Sequence, residues 1–131
     1  MSTISVTKCF EFEAAHCLPH YEGKCKHLHG HTYKLEVEIG VKEKGYLLND
    51  CGGMVIDFGT LKKQVERLII DKFDHRYLND LDQNDSSVFK DFPTAENLCI
   101  FIAAKVSGIT NFKIMRVRVW ETSNSYAEWR A

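Results

Sequence analysis

The sequence predicts an α+β domain in which helices cover one face of a largely antiparallel sheet, and three observations predict it. Two early stretches alternate apolar and polar side chains with the period of half-buried strands. Two central stretches repeat apolar residues at helical spacing, and two alternating stretches close the chain. Runs of strands separated by helices pack as a sheet with its helices on one side.

Each element has its own signal. Residues 4–14 place Val6, Phe10, Phe12 and Ala14 on one face, with Glu11 and Glu13 opposite. Residues 31–43 place His31, Tyr33, Leu35, Val37, Ile39 and Val41 on one face, opposite Thr32, Lys34, Glu36 and Glu38. A loop through Pro19 and Gly23 joins them and carries Cys25. Lys44-Gly45 opens a turn region running through Asn49, Gly52 and Gly53, after which Met54-Val55-Ile56 reads as a short extended piece. Leu61, Val65, Leu68, Ile69 and Phe73 then recur at helical spacing, with Lys62, Lys63 and Glu66 opposite. A second helix starts after Phe92-Pro93 with Thr94 as its N-cap. Leu98, Ile102, Lys105, Val106 and Ile109 continue it until Gly108 and Asn111 break the pattern. The last two strands are Lys113 to Thr122 and Ser125 to Arg130, turning at Ser123-Asn124.

Composition narrows the function. The 131 residues are the size of one domain, 1–131, and can bury a core without staples. A net charge of −1, with both signs interspersed, provides no basic stripe for nucleic acid. No apolar run approaches the ~20 residues of a membrane span, and the N-terminus lacks the charged-then-apolar pattern of a signal peptide, so a cytoplasmic protein is expected. The five cysteines, Cys9, Cys17, Cys25, Cys51 and Cys99, are odd in number and lack framework spacing, which points to reduced thiols. Cys9 and Cys99 read as small packing residues.

Chemistry concentrates at His16, His29 and His31. The pair at i and i+2 projects from one strand face roughly 7 Å apart, and His16 continues the apolar face of the first strand. Three imidazoles on apolar faces need a metal or hydrogen bonds, and a His₃ set leaves the fourth tetrahedral position of Zn²⁺ open, as in catalytic sites. Hydrogen-bonded core histidines are the alternative. His20 and His27 fit neither strand and read as loop residues.

Other groups join this cluster. Cys25 lies between Lys24 and Lys26; it reads either as an ordinary free thiol or as the thiolate that acts as base or nucleophile. Asp74-His75 can form a pair in which the carboxylate orients the ring, or it is a solvated helix end. Met115, Val117, Val119 and Glu121 share a face, so Glu121 ends an apolar stripe. A carboxylate there either accepts from a donor pair, such as the amino and ring N–H of a guanidine-like heterocycle, or tips into water.

The combination of His16, Cys25-Lys26-His27-Leu28-His29-Gly30-His31, Asp57-Phe58, Asp74-His75-Arg76-Tyr77-Leu78-Asn79, Pro93-Thr94-Ala95-Glu96-Asn97 and Trp120-Glu121-Thr122 resembles the 6-pyruvoyl-tetrahydropterin synthase / 6-carboxytetrahydropterin synthase family. The resemblance spans Phe12 to Glu128 in the family's order. It implies the tunnelling fold, a four-stranded antiparallel sheet with two helices on one face, oligomerising into a barrel. It also implies a homo-oligomer, trimer or hexamer, with active sites between subunits. It makes His16, His29 and His31 the Zn²⁺ ligands, Cys25 the general base, and Asp74 and His75 the acid–base pair. Glu121 becomes the pterin anchor, with Thr94, Glu96 and Thr122 nearby. The implied substrate is the small molecule 7,8-dihydroneopterin triphosphate. In the pyruvoyl branch triphosphate leaves and internal redox gives a 6-pyruvoyl product. In the carboxy branch acetaldehyde is also released and a 6-carboxylate remains, on the way to 7-deazapurines and queuosine. Three details resemble the carboxy branch: three residues between Cys25 and His29, Val55-Ile56-Asp57-Phe58 before the first helix, and a short loop after Asn79. A non-catalytic zinc-stabilised binding module is the reading from another class, and a cysteine beside the metal is what such a module would not need.

Overall fold

The computed structural model describes residues 2–43, 48, 52–81, 88–108 and 113–131. Strand β1 (Thr3–His16) pairs antiparallel with β2 (His29–Lys42) from Thr3↔Lys42 to His16↔His29. Both run two residues further toward their shared loop than their alternation predicts, which brings the candidate ligands onto paired strand ends. Helix α1 (Phe58–Val65) continues through a π-helical turn (Glu66–Ile70) into α2 (Asp71–Phe73). Strand β3 (Arg76–Tyr77), a 3₁₀ turn (Leu78–Asp80), α3 (Val88–Asp91), α4 (Ala95–Ser107), β4 (Lys113–Thr122) and β5 (Ser125–Arg130) follow. The sheet order is β3-β1-β2-β4-β5. The four long strands are antiparallel, and the two-residue β3 adds a parallel rung to β1 at Ala14↔Arg76 and Ala15↔Tyr77.

The core lies between the helices and one sheet face. Phe10, Phe12, Ala14, Tyr33, Leu35, Val37 and Ile39 are buried there against Leu61, Val65, Ile69, Phe73, Leu98, Ile102 and Val106. Phe12 stacks on Tyr33 with ring centroids 4.9 Å apart and meets Phe73 at 5.6 Å. The buried positions 61, 65, 69 and 73 recur every four residues, whereas an α-helix repeats every 3.6 and would rotate them off the core. The wider π turn absorbs the excess and keeps Phe73 inward. Asp57 caps α1 by accepting from the Thr60 N–H at 2.8 Å, and Thr94 caps α4 as expected, accepting from Asn97 N–H at 3.1 Å.

Several expectations need correction. Met54-Val55-Ile56 forms a bend outside the sheet; Val55 and Ile56 are buried by the core, which explains their apolar character. In β4 the register shifts between Glu38 and Ile39, so Met115 is an extra residue and Ile114 takes the buried position expected for it. Gly40 makes room for that bulge: a Cβ there would meet Met115 Cγ at 2.7 Å. Cys9 is exposed rather than packed, because its parity places it with Glu11 and Glu13. Cys99 is buried as expected, its thiol pushed up to about 11 by burial. Cys9, Cys17, Cys25 and Cys99 are free thiols, while Cys51, Lys44, Gly45, Asn49, Ile109 and Asn111 lie outside the described residues. No helix among the described residues is long and apolar enough to cross a membrane.

Candidate active site

Strand pairing assembles the histidine cluster. His16 stands directly opposite His29, and His31 is two residues along the same face. The rings converge, with His16 Nε2 at 3.0 Å from His29 Nε2 and 3.2 Å from His31 Nε2, and the group could hold a metal ion. His16 is buried and the other two are half-buried.

Backbone carbonyls decide which nitrogens face inward. His16 Nδ1–H donates to the Pro93 carbonyl at 2.8 Å, and His29 Nδ1–H donates to the His27 carbonyl at 2.7 Å. With both protons on Nδ1, the two Nε2 atoms present lone pairs to each other, which no hydrogen bond can reconcile and a cation can. The Tyr33 hydroxyl, 3.2 Å from His16 Nδ1, closes the buried side of the ring. Burial holds His16 and His31 below the usual histidine range, against the Pro93 hydrogen bond at His16 and the charge of Glu121 at both, which favours the neutral form that ligates metal.

Glu121 reaches the cluster through a second bulge. The β4–β5 register passes from Trp120↔Tyr126 to Thr122↔Ser125, leaving Glu121 as the extra residue. Its carboxylate lies 3.9 Å from His31 Nε2 and borders a cleft of about 350 Å³ with Ala95, Glu96, Ser125, Tyr126 and Ala127. Glu96, in the first turn of α4, therefore shares a cleft with Glu121, and Thr94 caps the same helix. Thr122 points elsewhere, into a cleft with Glu11, Thr32, Lys34, Trp120 and Ser123 on the other sheet face.

Asp74 and His75 follow the helical segment that Phe73 anchors. The Glu13 N–H donates to Asp74 Oδ1 at 2.9 Å and the His75 N–H donates to the Glu13 carbonyl at 2.6 Å, docking the pair onto β1. These bonds hold His75 at φ 59, a left-handed conformation uncommon outside glycine. Asp74 Oδ2 lies 3.0 Å from His75 Nδ1, and its carboxyl is held below the usual range by the Glu13 N–H and then by His75. The exposed imidazole borders a cleft of about 480 Å³ lined by the adjoining ends of β1, β2 and β3, and it is not part of the converging histidine group.

Cys25 lies on a 3₁₀ turn, Lys24–Lys26, half-buried. The turn is closed by Leu18 N–H donating to the Cys25 carbonyl at 2.8 Å, and it starts from Gly23 at φ 149, where a Cβ would strike the Tyr21 ring at 2.7 Å. The Cys25 sulfur is outside the converging nitrogen group. His27, expected as a loop residue, caps this turn and contributes its carbonyl to His29. That role, and those of Pro93 and Asp57, left no mark in the reading of ligands; only Asp57, an acidic residue just before a helical pattern, carried a usable signal.

The model of the 6-pyruvoyl tetrahydropterin synthase family matches residues 5–131. The chain belongs to this family. Among curated relatives, the 6-carboxy-5,6,7,8-tetrahydropterin synthase of Haemophilus influenzae is 35% identical, over 95% of this chain and 97% of its own length. The protein of the same name from a Synechocystis species is 37% identical, over 95% of this chain and 91% of its own. Among solved structures, Caenorhabditis elegans 6-pyruvoyl tetrahydropterin synthase superposes with a TM-score of 0.80 at 26% identity, covering 100% of this chain and 97% of that one. Family membership agrees with the four long strands and the helices on one face described above.

Proposed function

We propose that the chain is a zinc-dependent lyase that converts 7,8-dihydroneopterin triphosphate to 6-carboxy-5,6,7,8-tetrahydropterin, releasing acetaldehyde and triphosphate. The observation that carries this reading is the convergence of three imidazole Nε2 atoms with the Glu121 carboxylate beside them at the mouth of a cleft. The names of the two bacterial relatives support the carboxy branch.

The donor set fits zinc. Zn–N bonds of about 2.0–2.1 Å in tetrahedral geometry separate neighbouring nitrogens by about 3.3 Å, close to the 3.0 and 3.2 Å between His16 Nε2 and its neighbours. Zinc would be held by His16, His29 and His31 and would supply Lewis acidity toward the side-chain hydroxyls of the substrate. Glu121 accepts two parallel hydrogen bonds from the pterin amino and ring N–H groups, with Glu96 bordering that cleft and Thr94 capping the helix that carries it. Cys25 takes a proton as general base, and His75, oriented by Asp74, moves the second. Thr122, on the opposite sheet face, serves substrate only at a site completed by another subunit. The reading extends to a homo-oligomer, trimer or hexamer, in which pairing of the sheet edges with other copies closes a barrel; the edge strands β3 and β5 offer those edges.

Two measurements test this. Mass analysis after incubating the zinc-loaded protein with dihydroneopterin triphosphate is expected to find the 6-carboxy product and acetaldehyde. A 6-pyruvoyl product without acetaldehyde would move the chain to the other branch, and unconsumed substrate would favour a binding module. Elemental analysis is expected to find about one zinc per chain, lost in His29→Ala and kept in His27→Ala, since alanine at 27 retains the carbonyl that orients His29. Equal zinc in both variants would remove the ligand assignment.

A further inference from the structure

We infer that Asn79 is a positioning residue for the metal-binding ring of His16, an inference that rests on the zinc reading above. Asn79 and His16 are both buried polar side chains. The Asn79 carboxamide makes three hydrogen bonds, two of them using both of its N–H donors. Oδ1 accepts from the Cys17 N–H at 3.0 Å, while Nδ2 donates to the Cys17 carbonyl at 2.9 Å and to the Lys90 carbonyl at 3.0 Å.

These bonds close a circuit around one ligand. Cys17 follows His16 directly, so the two bonds to Cys17 fix the backbone from which the ring hangs. Lys90 is three residues before Pro93, whose carbonyl accepts from His16 Nδ1–H. Asn79 therefore ties the segment that carries the ring to the segment that orients it, and a shift of either would tilt Nε2 away from its two neighbours. The orienting group is a carbonyl and has no side chain of its own to replace. Asn79 is where that geometry can be perturbed.

A purely structural role would lower stability and leave the metal site alone, so the test reads both. Zinc affinity is measured by competition with a chromophoric chelator, thermal midpoint by calorimetry, and ligand geometry from the visible bands of the Co²⁺-loaded protein. The variants are Asn79→Ser and Asn79→Asp, with Val65→Ala in the core of α1 as the comparator that perturbs packing alone. Asn79→Asp keeps the volume and the acceptor for Cys17 N–H and removes the two N–H donors. The expected result is a 10- to 100-fold weaker zinc site and altered Co²⁺ bands in the Asn79 variants, with affinity within about twofold of wild type in Val65→Ala. Wild-type affinity and an unchanged Co²⁺ spectrum in a folded Asn79 variant would overturn the inference. So would loss of the fold in both Asn79 variants. Failure of the wild-type protein to bind zinc would instead overturn the reading on which it rests.

Discussion

Replacing Cys25 by alanine is expected to lower turnover by about 10²- to 10⁴-fold, the range of a lost general base, while fold and zinc content remain. The geometry separates the two effects. The sulfur is outside the group of converging nitrogens, so its removal takes nothing from the ion. What the same turn contributes to the metal site is backbone: the His27 carbonyl that holds His29, and the closing bond from Leu18 to the Cys25 carbonyl, both intact in alanine. A steady-state assay of the zinc-loaded variant beside its metal content checks this. A near-normal rate would transfer the base role to His75, which Asp74 orients.

The second large effect is expected at Glu121. Glutamine offers one acceptor oxygen where the carboxylate offers two, and turns a donor toward a donor of the pterin ring. Losing one charge-assisted bond and creating a mismatch in a partly enclosed cleft costs about 2–4 kcal/mol, or about 30- to 1,000-fold in affinity. Zinc content should change little, since Glu121 is outside the group of converging histidine nitrogens. The rate should also fall, because the ring anchor holds the reacting carbon in place. Titration of the zinc-loaded variant with a pterin analogue decides: an unchanged dissociation constant would make Glu121 a strand-end residue and leave another carboxylate to read the ring.

What was legible in the sequence is what depends on parity. Strict alternation located His16, His29 and His31 on core-facing strand positions because a side-chain period of two holds wherever the ladder is regular. It failed where the ladder is not. The bulge at Met115 comes from how β4 meets β2 beside Gly40, a pairing no local pattern encodes, and so the buried position moved to Ile114. The bulge at Glu121 left its expected position informative for a different reason than alternation alone: the extra residue turns the carboxylate toward His31 and sends Thr122 to the other face. Cys9 was misread for its residue type although its parity was plain. The π turn and the docking of Asp74-His75 on Glu13 are tertiary accommodations. The Pro93 and His27 carbonyls that orient the ligands have no sequence signature at all, since every residue owns a carbonyl.

The β1–β2 ladder runs unbroken from Thr3↔Lys42 to His16↔His29, and the three converging imidazoles occupy its last rungs. Many small zinc domains need the ion to fold, so that metal binding and chain ordering are one event. Here the free energy that aligns the donors comes from strand pairing and from the core behind it. An ion bound there would enter a site already shaped by folding, with little chain entropy left to lose, and its release would leave that shape in place.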